Sequence, residues 1–308
     1  MVLALVVGLL VVVNARKPRL EQVKGFGSNP GALKMYEFIP PGLGKHRPLV
    51  VLIHGCLAKA SDIDNESGWT RWAREYRFAL LLPQQDPANN RRRCFNGYRP
   101  GDEERGHGEA LSIKQMTDWM LGQHGLDRDR VFVNGLSAGA VMTAVMLATY
   151  PDVYKAGAVV AGGPFECATT GAEARACNTG HQILSPKQWG DKVRRASGWQ
   201  GPWPRVSIWH GTQDRTVDVQ NLVESMKQWT DVNGVDQVPE VKENVRGYPH
   251  LVYEDSAGRP VVETWTITGM GHGFPVTGHL ECGVVGPYYP EVNVCASQHI
   301  AQWFGLTG

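Results

Sequence analysis

Hydrophobic and polar positions fall into short blocks of two periods. Residues 33–39 alternate apolar and polar side chains and end at Pro40-Pro41, the pattern of a half-buried strand. Leu49–Ile53 is an unbroken apolar run, as expected of a strand covered on both faces. Residues 79–82 form a second such run, which Pro83 is expected to stop. Residues 131–133, Ala156–Val160, 206–209 and 262–267 read as further strands. Between them lie stretches of helical period. Residues 69–77 look helical, and 109–123 bring Ile113, Met116, Met120 and Leu121 to one face. Ala138–Thr149 is a helix halted by Pro151, and 218–230 and 297–304 are helical too. Alternating strand and helix predicts an α/β fold, a mostly parallel sheet with helices on both faces. Chemistry in such sheets gathers at the carboxyl ends of the strands. No repeat, low-complexity tract or Pro/Ser/Thr linker divides the chain, so residues 16–308 are expected to form one domain.

The first residues break the pattern. Met1 to Val13 is apolar apart from Gly8, and Val13-Asn14-Ala15 sets small residues where a signal peptidase reads. The run is too short to span a bilayer but suits a leader, so residues 1–15 are expected to be a signal peptide and the protein secreted or periplasmic. Cys56, Cys94, Cys167, Cys177, Cys282 and Cys295 agree with export. None forms a CxxC pair, so no metal is predicted, and an even count in an exported chain points to disulfides. Six cysteines allow about 15 pairings, of which sequence neighbours are the simplest: Cys56–Cys94, Cys167–Cys177 and Cys282–Cys295.

Composition narrows the partners. Across 308 residues, 31 basic and 30 acidic side chains leave a net charge of +1. That balance is not built to neutralise phosphates, so nucleic acid is excluded as an expected partner. Ordinary hydrophobic content (42%) excludes a disordered or fibrous chain.

Candidate chemistry begins at Gly135-Leu136-Ser137-Ala138-Gly139, a GxSxG pattern. A β run precedes it and a helix rich in small residues follows, the strand–turn–helix that a nucleophile elbow requires. A serine hydroxyl needs a base, and the base an orienting acid. In this architecture the acid and then the base follow the serine in the chain. Strand 206–209 runs into His210-Gly211-Thr212-Gln213-Asp214, which sets Asp214 just past a carboxyl end. Asp218 is the rival, better placed to cap the next helix. The last strand runs into Gly269-Met270-Gly271-His272-Gly273, so His272 is the expected base over His54, His107, His210, His279 and His299. The oxyanion needs two backbone donors: the N–H of Ala138, after the serine, and that of Cys56, in the loop after Leu49–Ile53. No cofactor is required. Trp199 and Trp203 are candidates for the substrate cleft, and Glu109 reads as a first-turn acid favoured by the helix dipole.

Several segments together resemble the catalytic domain of extracellular poly(3-hydroxybutyrate) depolymerases, of the α/β-hydrolase superfamily, with feruloyl and acetylxylan esterases as relatives. The marks are His54-Gly55-Cys56, Cys94-Phe95-Asn96, the GxSxG segment, Gly201-Pro202-Trp203-Pro204, His210 to Asp214, Gly269 to Gly273, and Cys282-Gly283 with Cys295. The resemblance spans residues 26–306. It implies the same triad, the same oxyanion donors and the three neighbouring disulfides. It also implies hydrolysis of short-chain aliphatic polyesters or their oligomers, with plant-polysaccharide esters as the alternative and an inactive binding protein as the alternative of another class. Ala58, Gly97 and Ala140 depart from the family pattern, where glutamine, tryptophan and glycine are usual; the first two fall where the cleft is expected. Polymer depolymerases of this kind usually carry a separate substrate-binding domain, and none is expected within this chain.

Overall fold

The computed structural model describes residues 20–278 and 282–307; the expected leader and His279 lie outside them. Ten strands form one sheet among the described residues. They are β1 (Glu21–Val23), β2 (Lys34–Phe38), β3 (Leu49–Ile53), β4 (Ala79–Gln84), β5 (Val131–Leu136), β6 (Ala156–Val160), β7 (Arg205–Gly211), β8 (Val241–Val245), β9 (Tyr248–Glu254) and β10 (Pro260–Ile267). Their order across the sheet is β1-β2-β4-β3-β5-β6-β7-β10-β9-β8. The central strands from β4 to β10 run parallel; β1, β2, β9 and β8 pair antiparallel at the flanks.

Alternation within each central strand divides the core into two layers. Leu49, Val51, Ile53, Val131 and Val133 face one side, and Val50, Leu52, Phe132 and Leu136 the other. Helices α3 (Gly108–His124), α4 (Ala138–Thr149), α6 (Pro186–Ser197) and α7 (Gln220–Val232) cover the first layer. Helices α1 (Ala60–Ser67), α2 (Trp69–Tyr76) and α8 (Ala296–Trp303) cover the second. Helix α5 (Gly171–Asn178) lies within a surface excursion between β6 and β7. Because the central strands are covered twice, β3, β6 and the first four residues of β4 are continuous apolar runs.

Pro83 does not stop its strand, contrary to the sequence expectation: β4 continues to Gln84, with Pro83 opposite Met35 of β2. The ladder to β3 has ended at Leu81, so one edge of β4 has no strand beside it at Pro83. The chain visits β4 on one side of β3 and then β5 on the other. That reversal opens a crevice at the carboxyl ends of β3 and β5. No helix among the described residues is long and apolar enough to cross a membrane.

Candidate active site

The crevice is built by glycines that let backbone meet backbone. Between β5 and α4 the chain turns at Ser137, whose φ of 59° and ψ of −121° lie where side chains are rarely found. Holding such a conformation costs about 1–3 kcal/mol and persists only where the surroundings impose it. Two glycines do so. A Cβ on Gly135 would sit 2.1 Å from the carbonyl oxygen of Gly139, and one on Gly139 would sit 2.1 Å from that of Ile53. The turn therefore packs directly on the end of β3, and the Ser137 N–H donates to the Val160 carbonyl at the end of β6 (2.9 Å).

Three loops then deliver three side chains into one row. The Ser137 hydroxyl donates to His272 Nε2 at 2.9 Å. His272 Nδ1–H donates to Asp214 Oδ2 at 2.7 Å, which fixes the tautomer because an ionised carboxylate only accepts. Asp214 Oδ1 accepts the N–H groups of Thr216 (2.8 Å) and Val217 (2.9 Å). Burial works against the charge on Asp214. Hydrogen bonds from His210 and His272, with the Val217 N–H, outweigh it and hold the carboxyl well below the usual range. Asp218, the rival acid, instead accepts the Gln220 N–H at the start of α7 (2.8 Å).

The competing histidines have other work. His54 is fully buried; its Nδ1–H donates to Gly55 O (2.7 Å) and its Nε2 accepts the Gln85 N–H (3.2 Å). Burial lowers its pKa to about 4, so it stays neutral. His107 stands at the N-cap of α3, and His299 lies on α8 against Trp265.

A cavity of about 560 Å³ opens over Ser137 and His272, within the size range of small-molecule sites. Cys56 and Ala138 both line it, and Ala138 opens α4, where a helix leaves its first N–H groups unused. The Cys56–Cys94 disulfide joins two of its walls. Cys167–Cys177 staples a third wall, and Cys282–Cys295 ties the segment before α8. Ala58 and Gly97 line the cavity with small side chains. Among the described residues no group of three or more His, Cys, Asp or Glu is arranged to hold a metal ion.

Trp199 and Trp203 are not brought to this cavity, a correction to the sequence expectation. Both precede β7 at its amino end, whereas the crevice lies at the carboxyl ends. Trp199 folds over Gly201 and donates to Pro202 O at 3.0 Å, and Trp203 packs on the core.

Two contributors escaped the sequence reading. Glu109 lies in the first turn of α3, as expected, but it is also a buried hub. Its Oε1 accepts from Gln85 Nε2 (2.5 Å) and Asn96 Nδ2 (2.6 Å), and its Oε2 from the Asn96 N–H (2.8 Å). It thereby fixes segment 94–98, a cavity wall. Burial raises its pKa to about 7 against these donors. Tyr288 stands edge-on to His272, ring centroids 6.4 Å apart, at the cavity mouth. No motif announced either role.

A parallel sheet that presents a serine, an aspartate and a histidine, in that chain order, at its carboxyl ends has the α/β-hydrolase architecture. Comparison with known proteins narrows the class. The family model described as Esterase PHB depolymerase matches residues 33–242, a span that includes Ser137 and Asp214 and stops before His272. The chain is 48% identical over 304 residues to poly(3-hydroxyalkanoate) depolymerase C of Paucimonas lemoignei, covering 97% of this chain and 73% of that one. It is 37% identical to an acetylxylan esterase of Coprinopsis cinerea, covering 84% and 70%. Among solved structures, an acetyl xylan esterase from Aspergillus awamori superposes with a TM-score of 0.80 at 28% identity, covering 94% of this chain and 99% of that one. The chain belongs to the esterase PHB depolymerase family and is a hydrolase of carboxylic esters.

Proposed function

We propose that this chain is a secreted serine carboxylesterase that cleaves short-chain aliphatic polyesters of the 3-hydroxybutyrate type and their oligomers. Ser137 Oγ attacks the ester carbonyl while His272 Nε2 takes its proton. Asp214 holds the Nδ1–H tautomer and balances the imidazolium charge. The N–H groups of Cys56 and Ala138 donate to the oxyanion. The alcohol leaves with the proton from His272, and water then hydrolyses the acyl-enzyme by the same route. The chain's own groups and water supply every step, so the reading requires no cofactor. Residues 16–308 act as one catalytic domain behind a leader, and three disulfides suit an oxidising compartment.

The observation that carries the reading is the hydrogen-bonded row Ser137–His272–Asp214 opening into a cavity with an apolar mouth. Leu57 and Tyr288 line that cavity yet are half exposed. Val284 and Val285 are exposed as well, and the Val284 N–H bonds to the carbonyl of cavity-lining Glu66 (2.9 Å). Exposed apolar side chains at a cavity mouth suit an apolar ligand, and a polyester chain offers the matching chemistry. The similarity to a poly(3-hydroxyalkanoate) depolymerase supports the same substrate. A second reading, an acetyl or feruloyl ester on polysaccharide, draws on the likeness to acetylxylan esterases.

Purified protein tested on p-nitrophenyl esters, polyhydroxybutyrate film, acetylated xylan and methyl ferulate separates the two. Release of 3-hydroxybutyrate from film is the expected result. Hydrolysis of xylan acetate or ferulate with the film untouched would overturn the polyester assignment.

A further inference from the structure

A second histidine meets the acid of the proposed triad. His210 is the penultimate residue of β7 and is 1% exposed. Its Nε2 lies 2.8 Å from the Val217 carbonyl oxygen and 3.3 Å from Asp214 Oδ2. Both are acceptors, so Nε2 carries a proton and shares it between them. Asp214 Oδ2 thus accepts from two imidazoles, His272 on one side and His210 on the other, while Oδ1 accepts the Thr216 and Val217 N–H groups. The His210 bond to Val217 O closes the same turn that the Val217 N–H opens toward Asp214. The neighbours of His210 in the sheet are uncharged: Thr266 on β10, and Ala161 just past β6, whose N–H bonds to Trp209 O. In the loop, Arg215 is exposed to solvent and Asp218 is engaged with α7. The titratable groups in this row are therefore His210, Asp214 and His272.

We propose that His210 is a positioning residue for ester hydrolysis: its Nε2–H locks the Asp214 turn and tempers how strongly Asp214 binds the His272 imidazolium. This rests on the triad reading above. Each donor on a carboxylate lowers its basicity. Without the His210 donor, Oδ2 becomes a stronger acceptor for His272 Nδ1–H and favours the protonated imidazole. The acid limb of activity then moves to higher pH, and loosening of the turn lowers turnover.

His210→Leu removes the donor; His210→Gln keeps an N–H near the Nε2 position. With a soluble p-nitrophenyl ester, His210→Leu is expected to lower kcat about tenfold with KM little changed. Its kcat/KM acid limb should rise by about half a pH unit. His210→Gln should recover most of both. An unmoved acid limb in His210→Leu, or a His210→Gln enzyme as impaired as His210→Leu, overturns the proposal. A measurement on the unmutated protein covers the case in which the leucine variant does not fold. Nitrogen-15 NMR of labelled histidine should find His210 protonated at Nε2, and a proton on Nδ1 alone contradicts the assignment. Ser137→Ala assayed beside these variants keeps the two claims apart. If it is active, the triad reading fails; if it is inactive while His210→Leu behaves as wild type, only the role of His210 fails.

Discussion

At the scale of the residue, the site rests on positions where one atom decides the geometry. Ser137 occupies a backbone conformation that glycine adopts freely. Ser137→Gly should therefore raise stability by about 1 kcal/mol while abolishing hydrolysis, because relief of strain exceeds glycine's entropic cost. Denaturant unfolding checks this; a destabilised Ser137→Gly would mean that the turn is not strained. Gly139→Ala works in the opposite direction. Its new methyl group must displace the end of β3, so a loss of about 2–4 kcal/mol is expected, together with loss of turnover. Much at this scale was legible in the sequence. The two glycines of GxSxG, and the serine–aspartate–histidine order, follow from what a sharp turn and a proton relay need. What was not legible depends on side-chain direction. Spacing alone does not say that His210 turns its Nε2 back onto Asp214, nor that Glu109 points inward to Asn96.

At the scale of the element, the sequence was clearest where burial was most complete. Strands β3 and β6 and helix α4 match their expected bounds, because doubly covered strands are unbroken apolar runs and α4 is bracketed by Ser137 and Pro151. The antiparallel flank beyond β10 was missed, whereas β2 lies within the expected residues 33–39. Strand β8 is almost wholly exposed and β9 carries Pro249, so neither shows an apolar period. Helix α6 was overlooked despite legible signals: Ser185 and Gln188 form a capping box, Pro186 follows the cap, and Gly198 ends the helix.

Polar contacts brace the flank beside the core packing of Tyr253 and Leu251. His250 on β9 bonds through Nδ1 to Glu243 of β8 (2.7 Å) and through Nε2 to Glu263 of β10 (2.7 Å), and it stacks on Trp265. Burial opposes its protonation, but the two carboxylates more than offset this and raise its pKa. A histidine whose folded pKa is raised contributes stability that is full below its unfolded pKa and lost as pH rises through the folded one. The melting temperature should therefore fall as pH rises above the ordinary imidazole range and through the raised pKa of His250. His250→Phe, which keeps the ring, should start lower and show a flatter decline. Parallel curves for wild type and variant would exclude this role.

At the scale of the whole molecule, loops distant in sequence meet over one cavity, and covalent ties hold them. The Cys56–Cys94 bridge closes a separation of 38 residues and Cys167–Cys177 one of 10. By chain entropy the first is worth about 4 kcal/mol and the second about 3. Replacing Cys56 and Cys94 by serine should cost the larger amount in urea unfolding. It should also depress turnover, since Cys56 supplies a proposed oxyanion donor. Equal turnover with lowered stability would separate that loop from the chemistry.

The relay itself integrates all three scales: a strained turn, the ends of β5, β7 and β10, and a cavity assembled from distant loops. Its most direct test is the turnover of Ser137→Ala on p-nitrophenyl butyrate, with circular dichroism confirming that the variant is folded. Cooperation of Ser137, His272 and Asp214 as one unit predicts a fall in kcat of about 10⁶. A folded Ser137→Ala enzyme that keeps most of the wild-type rate would contradict the account.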